Sequence, residues 1–316
     1  MKSLRSRGVT KQAVRKSLVG YAFVLPWVIG LLVFQAYPIV ASLYYSFTRY
    51  NILQPAAWIG LQNFVTMFTK EPLVARATGN TLYFVSISVP LGLMLSLGLA
   101  MLMNQKVGGI GVYRTIFFLP TLMPPVAGAL LWLLILEPNG LMNALLRALG
   151  IPQLGWFRSP VWSKPALILM SMWGVGNTAL IFLGGLKEIP VSLYESASID
   201  GAHAVQKFRH VTLPLLTPVI FFNLVMAIIG SFQVFAAAFV VGGIGAGGSA
   251  AGAGGGGPLN SMLMYMVLLY RHAFRYFHMG YASAMAVTLA LVILILTVIL
   301  VKTSGGWVFY ESAERS

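Results

Sequence analysis

Residues 189–218 read IPVSLYESASIDGAHAVQKFRHVTLPLLTP, with Glu195, Asp200, Lys207 and Arg209 set among Ser, His and Gln. Long apolar runs flank this stretch: residues 165–186 come before it, and no Asp, Glu, Lys or Arg occurs between Arg209 and Arg271. A polar island in such surroundings is a connection that leaves lipid between two buried helices.

The composition supports that setting. The 316 residues are 58% hydrophobic and only 9% charged, against about 25% charged in a soluble domain. A net charge of +14 would suggest nucleic acid in a soluble chain, but here the charges are scattered through short segments between apolar runs, without a dense basic patch interleaved with aromatics. With no cysteine there is no disulfide, thiolate metal site or cysteine nucleophile.

Working outward from the island, six uncharged runs are long enough to span a bilayer, at about residues 18–42, 77–103, 115–136, 165–186, 213–241 and 279–301. The expected fold is therefore all-α, a polytopic membrane protein of six transmembrane helices. Residues 1–17 form a basic N-terminal flank, 187–212 the island loop and 302–316 a polar tail. The first run is longer than the apolar core of a signal peptide, so an uncleaved anchor is expected. Pro120, Pro124 and Pro125 interrupt the third run, which is tolerated only where protein or a wet cavity satisfies the freed carbonyls. That helix is expected to face protein. Trp58, Trp156 and Trp162 read as interface anchors in polar connections.

Six spans put both termini on one side. Thirteen of the 21 Lys and Arg fall in the N-terminal flank, residues 104–114, residues 187–210 and the tail, although the other three connections are longer. By the positive-inside rule the island and both termini are cytoplasmic. On the outer side, residues 242–257 are almost entirely Gly, Ala and Ser; with no G-x-x-x-x-G-K-[ST] in the chain, a flexible loop is expected rather than a phosphate cradle. Residues 261–278, rich in aromatics and His, read as a helix at or dipping into the outer interface.

The island also has a predicted shape. Pro190 ends the preceding helix, Ser192 and Glu195 stand at capping-box spacing, and Asp200-Gly201 offers a left-handed turn. A second short helix carries Ala202, Val205 and Phe208 on one side and then meets Leu213-Pro214, where Pro suits a first helical turn. Capping boxes and turn glycines are common, so on this reading alone an ordinary solvated loop stays open beside a rigid helix-turn-helix projection.

The spacing resembles the EAA signature of bacterial ABC importer permeases: Glu-Ala-Ala, three residues, Gly, nine residues, Ile, one residue, Leu-Pro. Glu195, Ala197, Gly201, Leu213 and Pro214 match in register, while Ser196 and Val211 replace Ala and Ile. The chain is similar to the carbohydrate-type permeases of the maltose and glycerol-phosphate systems over nearly its whole length, through stretches such as Tyr113-Arg114-Thr115 continuing to Leu119-Pro120, and Met279-Gly280-Tyr281-Ala282. The Gly/Ala run departs from that pattern, since relatives have only a brief Gly-Gly-Gly-Pro there.

The resemblance implies the transmembrane domain of a type I ABC importer in the bacterial cytoplasmic (inner) membrane. The partners it implies are a second permease subunit, two ATPase subunits and an extracytoplasmic solute-binding protein, besides the lipid bilayer, with no nucleic acid. Glu195, Ser196, Ala197, Asp200, Gly201, Leu213 and Pro214 would form the element that docks on an ATPase, with Glu195 near a basic residue of that partner. No Walker A motif occurs, so ATP and Mg would belong to the partner ATPase and this chain would carry no cofactor, metal or catalytic residue. The imported solute would be a sugar, oligosaccharide or related polyol or glycerol-phosphate.

Side-chain type suggests Asn177, Asn223, Ser231, Phe232, Gln233 and Phe235 along the solute path, although such a residue more often serves a helix–helix hydrogen bond or packing contact. His203 and His210 read as solvated. The spans hold no Asp, Glu, Lys or Arg, unlike a proton-coupled carrier. A secondary carrier or channel, or a non-transporting scaffold, remain as alternatives from other functional classes.

Overall fold

The structure is a computed structural model that describes residues 11–105, 107–244 and 255–309. The basic flank up to residue 10, Lys106, most of the Gly/Ala run and the tail from residue 310 lie outside the described residues.

The chain opens with α1 (Lys11–Leu31), which passes through a π turn at Leu32–Ala36 into α2 (Tyr37–Ser46). A hairpin of β1 (Thr48–Asn51) and β2 (Gln54–Trp58) and the short α3 (Gln62–Thr69) lead to α4 (Pro72–Met103). Then come α5 (Ile110–Phe118), α6 (Pro125–Ile135), α7 (Leu141–Ala148), α8 (Ser163–Met172) and α9 (Gly176–Glu188). The island contributes α10 (Val191–Ile199) and α11 (Ala204–Lys207), followed by α12 (Leu213–Phe232), α13 (Ala236–Ile244), α14 (Tyr265–Tyr270) and α15 (Met279–Ser304). The small antiparallel hairpin is the one departure from an all-α chain among the described residues.

Among the described residues four helical segments are long and apolar enough to cross a membrane, and two bent pairs, each taken as one span, bring the number to six. The pairs are Ile110–Leu122 with Pro125–Ile135, bent by 102°, and Ser163–Met172 with Gly176–Glu188, bent by 45°. The first bend falls on Pro120, Pro124 and Pro125, where missing N–H groups and ring clashes forbid a continuous ladder. Pro38 and Pro214 act more gently: each follows a π turn, at Leu32–Ala36 and Phe208–Thr212, so the helix absorbs the missing bond as a bulge.

α4 is the central post. At one end Val74, Ala77 and Phe84 join Met262, Leu263, Met264 and Leu268 in a buried cluster; at the other, Ala100 and Met103 pack with Phe182, Leu186, Ile189 and Leu216. The start of β1 meets the start of α15, where the Thr48 backbone lies against Gly280. Residues past α15 return to the island's end: Phe309 N donates to Thr217 Oγ1 at 2.9 Å, and Trp307 meets Phe221 edge-on at 5.9 Å.

Leu119, Leu122, Val126 and Leu130 of the third span are exposed on the single chain, an apolar surface suited to lipid or another subunit. Two expectations change. Trp156 is buried rather than interfacial, its Nε1 donating to Asn143 Oδ1 at 3.2 Å. The segment after the Gly/Ala run is no surface helix, because Met262, Leu263 and Met264 are fully buried.

The flexible loop expected at residues 242–257 falls mostly on residues 245–254, outside the described residues, while the two ends of the run are held by specific contacts. Gly242 and Gly243 lie in the last turn of α13, and Gly257 N donates to Gly242 O at 3.1 Å. Gly255 and Gly257 take positive φ (82° and 66°), and a Cβ on Gly256 would run into the Arg271 guanidinium and Asn260. α4 clamps the chain just beyond: Asn80 Nδ2 donates to the carbonyls of Asn260 (2.9 Å) and Leu263 (3.1 Å), and Thr81 Oγ1 accepts from Tyr265 N at 2.9 Å.

Candidate functional site

Residues 190–212 stand off one end of the bundle. Val191, only one residue past Pro190, already begins α10, so Ser192 lies inside the helix and Pro190 has no side chain to accept a bond. The capping box expected from Ser192 and Glu195 is therefore not formed, and Glu195 is exposed. The box forms one helix later: His203 Nδ1 accepts from Gln206 N, and Gln206 Oε1 accepts from His203 N at 2.9 Å.

The turn between the two helices is tightly specified. Gly201 takes φ 75°, Gly201 N donates to Ser198 O at 3.1 Å, and Ala202 N reaches back to Ala197 O at 2.9 Å. This is a Schellman closure, which requires the left-handed residue. Lys207 Nζ donates to Ser198 Oγ at 2.7 Å across the turn, and Tyr194 Oη pairs with Thr212 Oγ1 at 2.9 Å at its root. Ile189, Tyr194 and Val211 pack on the cluster around Met103 and Phe182. The outward side is apolar and bare: Ile199 is 87% exposed and Val205 67%. Ser196 and Asp200 are exposed too, Ala197 is half-buried behind them, and Leu213 and Pro214 begin the helix that carries the element into the bundle.

A second feature lies midway along the bundle, where the two bent spans meet. Two adjoining cavities, ≈ 300 Å³ and ≈ 200 Å³, share Phe84, Ser171, Gly174 and Val234 in their walls. The larger adds the hydroxyls of Ser88, Ser96, Thr178 and Ser231; the smaller adds Trp132 and Trp173, packed edge-to-face at 6.0 Å, beside Pro120 and Pro125. Ser88 Oγ and Trp132 Nε1 are buried without a hydrogen-bond partner. Broken backbone lining a polar cavity is where irregular structure is stable at membrane depth. Gly176 makes the meeting possible: a Cβ there would strike the carbonyl of Phe117.

Of the residues singled out for the solute path, only Ser231 lines these cavities. Asn223 is buried and spends its Nδ2 on Val219 O, four residues back on its own helix, at 2.9 Å. Phe232 is packed in the main core, and Phe235 joins Phe239 and Tyr270 in an aromatic stack at 5.3 and 5.0 Å. Asn177 and Gln233 are exposed on the single chain. The residues missed had a legible signal, since Ser88, Gly92 and Ser96 recur every fourth residue and so share one face of α4.

Comparison with known proteins agrees with this geometry. Residues 88–303 match the family model for the binding-protein-dependent transport system inner membrane component. The chain is 43% identical to the probable ABC transporter permease protein YesP of Bacillus subtilis, over 98% of this chain and 96% of that one. It is 31% identical to the trehalose/maltose transport system permease protein MalF of Thermococcus litoralis, over 75% and 81% of the two chains. A solved chain from a bacterial ABC transporter involved in import of the acidic polysaccharide alginate superposes with TM-score 0.79 at 25% identity, over 93% of this chain and 97% of that one.

Proposed function

The chain belongs to the family of binding-protein-dependent transport system inner membrane components, and we propose that it is a permease subunit importing a sugar or oligosaccharide. It is a multi-pass component of the inner membrane, and its relatives are permease proteins of sugar and glycerol-phosphate transport systems. In this reading a binding protein delivers the solute at the end of the bundle away from residues 190–212, which places the island and both termini in the cytoplasm.

The observation that carries the mechanism is the projecting turn. It is rigid by its Schellman closure and cross-turn bond, apolar at its tip, and tied through Tyr194 and Thr212 to the helix that lines the mid-bundle cavity. A separate ATPase subunit docks on Ile199, Val205 and the flanking Glu195, and holds the ATP and Mg. Its closure moves α12 as a lever and changes which end of the bundle opens to the cavity. The solute path then runs past Ser88, Ser96, Ser171, Thr178 and Ser231, whose hydroxyls suit an uncharged polyol, while the Trp132 and Trp173 faces suit the apolar face of a sugar ring.

The test is ATP hydrolysis by the complex reconstituted with its ATPases and second permease. Hydrolysis rises when solute-loaded binding protein is added; a rate indifferent to binding protein contradicts the assignment.

A further inference from the structure

The root of α12 is a weak stretch of helix. α11 leads into it through the π turn at Phe208–Thr212, where Leu213 N donates to Phe208 O, five residues back. Pro214 and Pro218 follow, and neither has an N–H to give to the carbonyl four residues behind it. The regular ladder therefore lacks its bonds to His210 O and Pro214 O. A helix that loses bonds in consecutive turns bends there more readily than elsewhere along its length.

Thr217 repairs one of these gaps. Its Oγ1 donates to Pro214 O at 2.6 Å, supplying the hydrogen that Pro218 lacks. The same oxygen accepts from Phe309 N at 2.9 Å, so the chain beyond α15 is bonded at the joint itself. A tight turn brings it there: Trp307 N and Val308 N both donate to Ser304 O, at 3.1 and 2.8 Å. Val308 is buried, and Trp307 packs edge-on against Phe221, one turn beyond Thr217 on the same side of α12.

These contacts tie together two groups of helices. α15 packs chiefly on α2, whereas α12 packs chiefly on α4 and α9. A change in which end of the bundle is open needs such groups to slide or turn against each other. The tie is also weak enough to break, being one solvent-exposed hydrogen bond and one aromatic pair whose Trp307 is 41% exposed.

We propose that Thr217 and Trp307 are positioning residues: with residues 304–309 they latch the proline joint at the root of α12 in the nucleotide-free complex, and the latch opens when the ATPase subunits close. The proposal rests on the import reading, which supplies the two settings of the bundle.

The test is hydrogen exchange of the assembled complex in nanodiscs, read by mass spectrometry on the peptide that spans residues 304–309. Without nucleotide the Phe309 amide should be protected. Thr217→Val removes the acceptor and should speed exchange about five- to tenfold, the scale of one lost hydrogen bond, whereas Thr217→Ser keeps both bonds and should not. With ATP and vanadate holding the ATPases closed, the parent should exchange as fast as Thr217→Val. Trp307→Ala leaves the bond between Thr217 and Pro214 in place and loosens only the strap, so it should raise hydrolysis in the absence of binding protein several-fold, as Thr217→Val does. Strap exchange that is the same with and without trapped nucleotide would overturn the proposal. So would hydrolysis raised by Thr217→Val and not by Trp307→Ala, which would confine Thr217 to a role within its own helix. Loaded binding protein that still stimulates hydrolysis in the parent would mark either result as a failure of the latch and not of the import reading.

Discussion

Tyr194 and Thr212 share a hydrogen bond of 2.9 Å between their side-chain oxygens, eighteen residues apart in sequence. The bond joins the first helix of the projecting turn to the root of α12, so force on the turn reaches the span directly as well as through the tip. Tyr194→Phe keeps the ring packed on its cluster and removes only this bond, at about 1 kcal/mol. The thermal midpoint of the complex should fall slightly, while stimulation of ATP hydrolysis by loaded binding protein drops several-fold. Full stimulation in the variant would show that the bond transmits nothing.

Glu195 is released from the helix cap that its spacing suggested. Glu195→Gln should therefore leave folding unchanged, with the island's hydrogen exchange as in the parent chain. Removing a charge that meets a basic partner at an interface costs about 2 kcal/mol or more, so affinity for the ATPase should fall at least tenfold. Unchanged ATPase affinity would remove Glu195 from the docking contact.

Gly176 lies where the fourth span breaks and touches the carbonyl of Phe117 on the third. Backbone cannot yield as a flexible side chain can, so Gly176→Ala should cost about 1–3 kcal/mol and open the wall of the cavity. Lower thermal stability together with impaired uptake is expected, measured on the assembled complex. A neutral outcome would mean that the two bent spans are not held in contact.

His272, outside the spans, gives stability a dependence on pH. Its folded pKa is about 4 against 6.5 for the free side chain, lowered by burial first, then by His278 and Arg271, with Glu71 on the wall of a cavity that His272 also lines. Between those values the unfolded chain binds the proton and the folded chain does not, so stability is full above about pH 6.5 and declines as pH falls toward 4. Thermal midpoints between pH 7.5 and about 4.5 should fall in the parent and fall less in His272→Phe. Parallel curves would place the loss elsewhere.

Much of this architecture is legible in the residues themselves. The apolar runs mark the spans, Pro120, Pro124 and Pro125 mark the sharp bend, and Gly201 marks the left-handed turn. What escapes is whatever depends on contacts between distant segments. Ser192 and Glu195 have capping spacing, yet Pro190 starts the helix a residue too early for them. The glycines near residue 256 look like slack but are needed where backbone passes under Arg271 and beside Gly242. Asn223 looks like a solute ligand on an apolar helix, and instead bonds to its own helix. The cavity hydroxyls are individually unremarkable serines, and only the bend in two spans brings them to one space.

The most direct test of the account is uptake of radiolabelled sugar into proteoliposomes holding the complete complex, with binding protein outside and ATP inside. Accumulation should require both the ATP and the binding protein, and should be lost when the turn is disabled by Glu195→Gln together with Ile199→Asp. Accumulation driven by an imposed proton or sodium gradient, with the ATPase subunits left out, would contradict it.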